Sequence, residues 1–123
     1  MVFVFIGGGL GSVLRYLTGL QAAKWLGTDW PWGTFMVNVT GCLIMGLCFR
    51  LLPLPEAGTT DARLLLMTGA LGGFTTFSAF ALDTAQLWMR QDMTGMTLYL
   101  AGSVACSLAG LALGLAIGKA FAP

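Results

Sequence analysis

The chain has 123 residues, 57% hydrophobic and 9% charged, with a net charge of +1 and a mean hydropathy of +0.84. A soluble domain carries about 25% charged residues, and six Lys+Arg, five Asp+Glu and no His cannot coat one, so the composition specifies an integral membrane protein. The same counts exclude a nucleic-acid footprint and a histidine base or ligand, and the length leaves no room for a nucleotide-binding domain, so any transport is passive or driven by an ion gradient.

A spanning helix needs about 20 mostly apolar residues. Four segments qualify, at about 2–20, 33–52, 64–88 and 96–119, within a single domain over 1–123. The expected architecture is all-α, with short connections marked by Gly27, Asp29 and Pro31, by Pro53, Pro55 and Gly58, and by Asp92 and Gly95. Trp25, Trp30, Trp32, Trp88 and Tyr99 fall near span ends, where amphipathic rings favour the headgroup region.

The first span places Gly8, Gly11, Ser12, Arg15, Thr18 and Gly19 on one face at helical spacing. An arginine inside a span is costly and turns toward the bundle. Arg15 either binds carbonyls at a broken helix or supplies an electropositive element for an anion, and both readings stand. The span lacks a basic leading segment, which argues against a cleavable leader.

The second span carries Thr34, Asn38, Gly41 and Met45 on one face. A primary amide at this depth needs partners or water. The Asn38 NH2 group donates either to a neighbouring carbonyl or to an anion, and Thr34, one turn away, is placed to steady it.

The third span contains Gly72-Gly73-Phe74-Thr75-Thr76-Phe77-Ser78. Two adjacent glycines each cost about 1 kcal/mol in a helix, and threonine hydroxyls compete for backbone groups. A break near mid-span is expected. Irregular backbone at this depth survives only when buried in protein or lining a cavity, and its free carbonyls offer a cation site without an acid. Phe77 and Phe80 project from one helical face just after the break, either as core or with their positive ring edges toward a path. Asp83 near the span's end reads as an interfacial acid or as the ion-pair partner of a basic residue.

The fourth span sets Tyr99, Ser103 and Ser107 four residues apart, a polar stripe about 12 Å long. These hydroxyls either hand an anion along or bond back to their own helix. Gly102, Cys106, Gly110, Gly114 and Gly118 form a separate small-residue row suited to close helix contact. Cys42, Cys48 and Cys106 make no CxxC motif and read as small packing residues.

Four spans leave both termini on one side. That side holds Arg50, Arg63 and Lys119 against Lys24 and Arg90 on the other, too small a bias to set an orientation. Such a chain can insert both ways and pair as an antiparallel dimer, or take one orientation set by another determinant.

Gly33-Thr34 with Val37-Asn38 and Gly41, then Gly69 and the run Gly72 to Phe80, together with the early glycines and Arg15, resemble the small fluoride channels of the Fluc or CrcB family over essentially the whole chain. The resemblance implies a passive fluoride-selective channel, multi-pass in a prokaryotic-type plasma (inner) membrane, that exports cytoplasmic fluoride. It implies a dual-topology antiparallel homodimer with two pathways and a structural sodium ion (Na+) at its centre. By motif, the carbonyls of Gly72 and Thr75 would hold the sodium. Asn38, Phe77, Phe80, Tyr99, Ser103 and Ser107 would line the fluoride pathway, with Thr34, Arg15 and Ser78 supporting it. The chain departs from the family pattern at Ala79, Ala81, Asp83 and Leu111.

The runner-up is a small multidrug-resistance-type, proton-coupled cation exporter, which needs a titratable acid in the membrane; the first span has Arg15 and no acid. A non-transporting assembly subunit would explain the glycine rows but not the break, Asn38 or the hydroxyl stripe. No nucleophile–base arrangement suggests an enzyme.

Overall fold

The computed structural model of the chain describes residues 1–52 and 60–121. The expected turn residues Pro53, Pro55 and Gly58 lie outside them. The described residues form α1 (Val2–Leu26), α2 (Trp32–Leu51), α3 (Asp61–Arg63), a π-helical segment (Leu64–Leu71), α4 (Gly72–Phe74), α5 (Phe77–Met89) and α6 (Met93–Phe121). α3 through α5 make one interrupted span, so the chain has four segments long and apolar enough to cross a membrane.

The connections follow local chemistry. α1 stops at Gly27, whose φ of 83° is costly for a residue with a Cβ and whose N–H closes on the Ala23 carbonyl. Pro31 precedes α2, where its missing N–H costs nothing. Gln91 takes φ 61° in the reversal between α5 and α6, and Asp92 Oδ1 then accepts from the Gly95 N–H at 2.8 Å, capping α6. The Arg63 guanidinium bonds the Phe49 and Leu52 carbonyls (3.1 and 2.9 Å), satisfying the end of α2.

The third span is interrupted, but not at the paired glycines. Gly72 is helical (φ −63°, ψ −36°). The chain leaves the helix at Thr75 (φ −80°, ψ 156°) and Thr76 (φ −155°, ψ 129°), and restarts at Phe77 with the Thr76 hydroxyl capping the Ala79 N–H. The π-helical turns before the break were not expected; π geometry is rare and is frequent at functional sites.

Small residues let the backbones meet. A Cβ at Gly7 would overlap the Leu65 carbonyl, and one at Gly11 the Ala70 carbonyl, so α1 lies directly on the π segment and α4. The small-residue row of the fourth span divides: Gly110, Gly114 and Gly118 pack against α2, Gly102 only approaches the Phe35 ring, and Cys106 is exposed. Most large apolar side chains point outward, as lipid contact requires. Tyr99 is completely buried, in a cluster with Phe80 and Leu87 onto which Trp30, Phe35 and Met96 pack.

Candidate functional site

α2 carries Asn38 directly against the break. Asn38 Nδ2 donates to the Thr76 carbonyl at 3.0 Å, and the Thr76 N–H donates to Asn38 Oδ1 at 2.8 Å. The amide thus replaces, for one residue, the helical partners that Thr76 lacks. Of the two alternatives for Asn38, the bond to a carbonyl is present, and it uses one of the two N–H donors of the amide.

This repair has a consequence for the carbonyls. In a continuous helix the Thr76 N–H would serve the Gly72 carbonyl and the Ala79 N–H the Thr75 carbonyl. The first is bonded to Asn38 and the second to the Thr76 hydroxyl, at 3.2 Å. The two carbonyls thereby lose their helical donors. Thr75 stays tied to the preceding turn, its N–H and hydroxyl both on the Leu71 carbonyl (3.0 and 2.9 Å). Ser78 Oγ lies 3.2 Å from Thr76 Oγ1, beside the restart of the helix.

A cavity of about 360 Å³ adjoins the break, with Asn38, Thr76, Phe77, Phe80, Ser103 and Ser107 in its wall. Ser103 is 4% exposed, and its hydroxyl has no hydrogen-bond partner among the described residues. It does not bond back to its own helix, as Thr97 does to Met93 in the same span. An unpaired buried hydroxyl is costly, and this one lies beside the cavity with its oxygen closed to solvent.

Phe77 and Phe80 stand side by side, ring centroids 5.5 Å apart, but in different surroundings: Phe80 is 8% exposed and Phe77 78%. Phe80 continues to Tyr99 (5.1 Å) and Tyr99 to Trp30 (5.2 Å), giving an aromatic file from mid-span to the α1–α2 connection. The Trp30 indole N–H fixes that end by donating to the Gly95 carbonyl at 3.1 Å.

The Tyr99 hydroxyl donates to Asp83 Oδ2 at 3.0 Å. Asp83 is therefore the acceptor of a phenol, and among the described residues it has no basic partner, so of its two readings the ion pair is the one not seen. Thr34 stands beside the same phenol rather than steadying Asn38, and with Asp83 it lines a second cavity of about 240 Å³ at the membrane end. The three hydroxyls of the fourth span are thus unequal: Tyr99 is committed, Ser103 is unpaired, and Ser107 lines the cavity at its far side.

Arg15 lines a third cavity, of about 410 Å³, together with Ser12, Thr34, Thr76 and Ala79. Among the described residues it bonds no carbonyl. Among the same residues there is no group of acidic, cysteine or histidine side chains able to hold a metal, so a cation at the break would depend on backbone oxygen. Sequence reasoning missed Cys42, which lies in the wall of the first cavity. Its signal was available: it follows Asn38 by four residues, on the same helical face.

Residues 2–115 match the family described as CrcB-like protein, Camphor Resistance (CrcB). A protein of Rhizobium johnstonii named fluoride-specific ion channel FluC is 45% identical over 121 residues, 98% of this chain and 97% of its own length. One of Rhodopseudomonas palustris with the same name is 45% identical over 119 residues (97% and 96%), and FluC 2 of Nitrobacter hamburgensis is 45% identical over 116 residues (94% of each).

Proposed function

The chain belongs to the CrcB-like family, and we propose that this multi-pass membrane protein is a passive, fluoride-selective channel that lets cytoplasmic fluoride leave the cell. The observation that carries the reading is the unpaired, buried Ser103 hydroxyl in the wall of the cavity beside the break. Fluoride is small and strongly hydrated, so a path must replace its water with donors. The Ser103 and Ser107 hydroxyls, the second N–H of Asn38 and the edges of Phe77 and Phe80 are donors of this kind, and none carries a charge that would trap the ion. Conduction requires binding weak enough for exit. Arg15, in the neighbouring cavity, draws anions toward the break. No coupling chemistry is needed: an inside-negative potential drives the anion out with about 2.3 kcal/mol per 100 mV. The protein is a channel and not an enzyme.

The working unit is an antiparallel, dual-topology homodimer. Phe77, Val104 and Leu108 on the cavity rim are exposed (78, 54 and 62%), and a polar wall open to hydrocarbon is unfavourable. A second copy covers it. The small charge bias between the two faces supports insertion both ways. The Gly72 and Thr75 carbonyls, without their helical donors, are suited to a structural sodium ion, since a hard monovalent cation accepts neutral oxygen ligands; bound there, it would tie the breaks of two subunits together. The bacterial sources of the relatives support the plasma (inner) membrane as the location.

The test is fluoride and chloride efflux from liposomes holding the purified protein. Fluoride efflux that persists with the proton gradient collapsed, with chloride retained, is the expected result. Absence of fluoride efflux, or its loss with the proton gradient, would overturn the reading and restore the proton-coupled exporter. That alternative is disfavoured by Asp83, the acid within α5, whose Oδ2 accepts from the Tyr99 hydroxyl.

A further inference from the structure

We infer that two side-chain oxygens, Asn38 Oδ1 and Thr76 Oγ1, are the positioning groups of the cation site at the break. Each draws away one N–H, and together they free the carbonyls that would hold the ion. The inference rests on the sodium reading above and names residues that create the site without touching the ion.

The break carries its own competitor. A continuous helix is the default for backbone in hydrocarbon, because every N–H and C=O is then paired within the segment. Restoring it here needs two bonds, Thr76 N–H to the Gly72 carbonyl and Ala79 N–H to the Thr75 carbonyl. Asn38 Oδ1 takes the first N–H at 2.8 Å, and Thr76 Oγ1 takes the second at 3.2 Å. The Asn38 Nδ2 bond to the Thr76 carbonyl, at 3.0 Å, holds Thr76 in its extended conformation. Thr75 gives Gly72 no donor either, since its N–H and hydroxyl both serve the Leu71 carbonyl. Among the described residues neither carbonyl regains a backbone donor.

These oxygens are not sealed away. Gly72 is exposed and Thr75 half-buried, and a Cβ at Gly72 would meet nothing closer than 3.8 Å. Unpaired carbonyls open at mid-span are costly unless something takes them up. The run from Gly72 to Phe80 has no charged residue, so what it offers a cation is carbonyl dipoles alone. An N–H that returned to either carbonyl would set the positive end of a dipole where the cation belongs. Affinity for the ion therefore depends on both diversions.

The experiment measures thermal unfolding of the full-length protein in detergent at fixed protein concentration. Sodium chloride is varied a hundredfold, with N-methylglucamine chloride holding ionic strength constant. An ion bound only by the folded state raises the midpoint, and a shift of at least about 4 °C is expected for the unsubstituted protein. Asn38→Leu and Thr76→Val, which remove the diverting oxygens, should lose most of that shift. Asn38→Asp and Thr76→Ser, which keep them, should retain it. A merely structural role would lower the midpoint equally at every sodium concentration. Full sodium shifts in Asn38→Leu and Thr76→Val, or their loss in Thr76→Ser and Asn38→Asp, would overturn the inference while leaving the sodium reading intact. If Asn38→Leu does not fold, the Thr76→Val and Thr76→Ser pair decides alone. If the unsubstituted protein shows no sodium shift, the sodium reading itself fails and this inference falls with it.

Discussion

Asn38 and Thr76, 38 positions apart in sequence, exchange two hydrogen bonds, one in each direction, across the only non-helical stretch described within the third span. One side chain thus caps both the end of one half-helix and the approach to the next. It also sets which backbone oxygens are left free.

Asn38→Asp tests this pair. The carboxylate still accepts from the Thr76 N–H but now opposes the Thr76 carbonyl, and it places a negative charge beside the cavity. Leaving that buried carbonyl without its donor costs about 1–3 kcal/mol, so thermal unfolding in detergent should shift downward. Repulsion in a low-dielectric path is strong, so fluoride efflux per mole of folded protein should fall by more than tenfold. Normal conduction by this variant would reduce the amide to a helix contact.

Gly41 fixes the position of the break. A Cβ there would overlap the Thr75 methyl carbon, with the Phe74 ring at 3.4 Å. Gly41→Ala should destabilise the protein by about 1–3 kcal/mol, as overpacking does. Thr75→Ser removes that methyl and retains the hydroxyl bonded to Leu71. Adding it to Gly41→Ala should recover most of the loss, measured as a double-mutant cycle on unfolding. Additivity of the two changes would show that the contact is not the cause.

Phe77 and Phe80 should separate under the same substitution. Phe80→Ile removes a buried ring that touches Tyr99, so it should lower both stability and flux. Phe77→Ile alters an exposed ring and should leave protomer folding intact while reducing flux, because an aliphatic chain offers no positive edge. Unchanged efflux in both variants would make the aromatic pair packing alone.

Tyr99→Phe removes the phenol that holds Asp83. A net hydrogen bond to a charged group is worth about 1.5–3 kcal/mol, so the variant should unfold earlier, with Asp83 released toward the cavity at the membrane end. Asp83→Asn keeps an acceptor for the phenol and should be milder in stability. Comparing the two variants in unfolding and in efflux divides the effect of the bond from that of the charge.

Dual topology predicts that tags at the C-terminus are labelled from both membrane faces. Labelling from one face alone would exclude it and leave the two-fold arrangement without support.

Composition and the length of apolar runs determined the membrane class and the four spans, because a stretch of about 20 predominantly apolar residues is best placed in a bilayer. The weak helix around Gly72 to Thr76 was also legible, since glycine and threonine propensities are local. Where the helix stops was not. The glycines remain helical, whereas Thr76 is drawn out by an amide from another helix. The Leu64–Leu71 stretch has no pattern that separates π from α turns; it lies under α1, whose Gly7 and Gly11 permit backbone contact. Tyr99 illustrates the same division. Its place near a span end was legible, but not that Trp30 and Phe80 pack against its ring or that its hydroxyl donates to Asp83. Local composition specifies which segments leave water and where a helix is weak. The choice among partners for a buried donor or acceptor depends on which helix lies opposite, and only the packed bundle decides that.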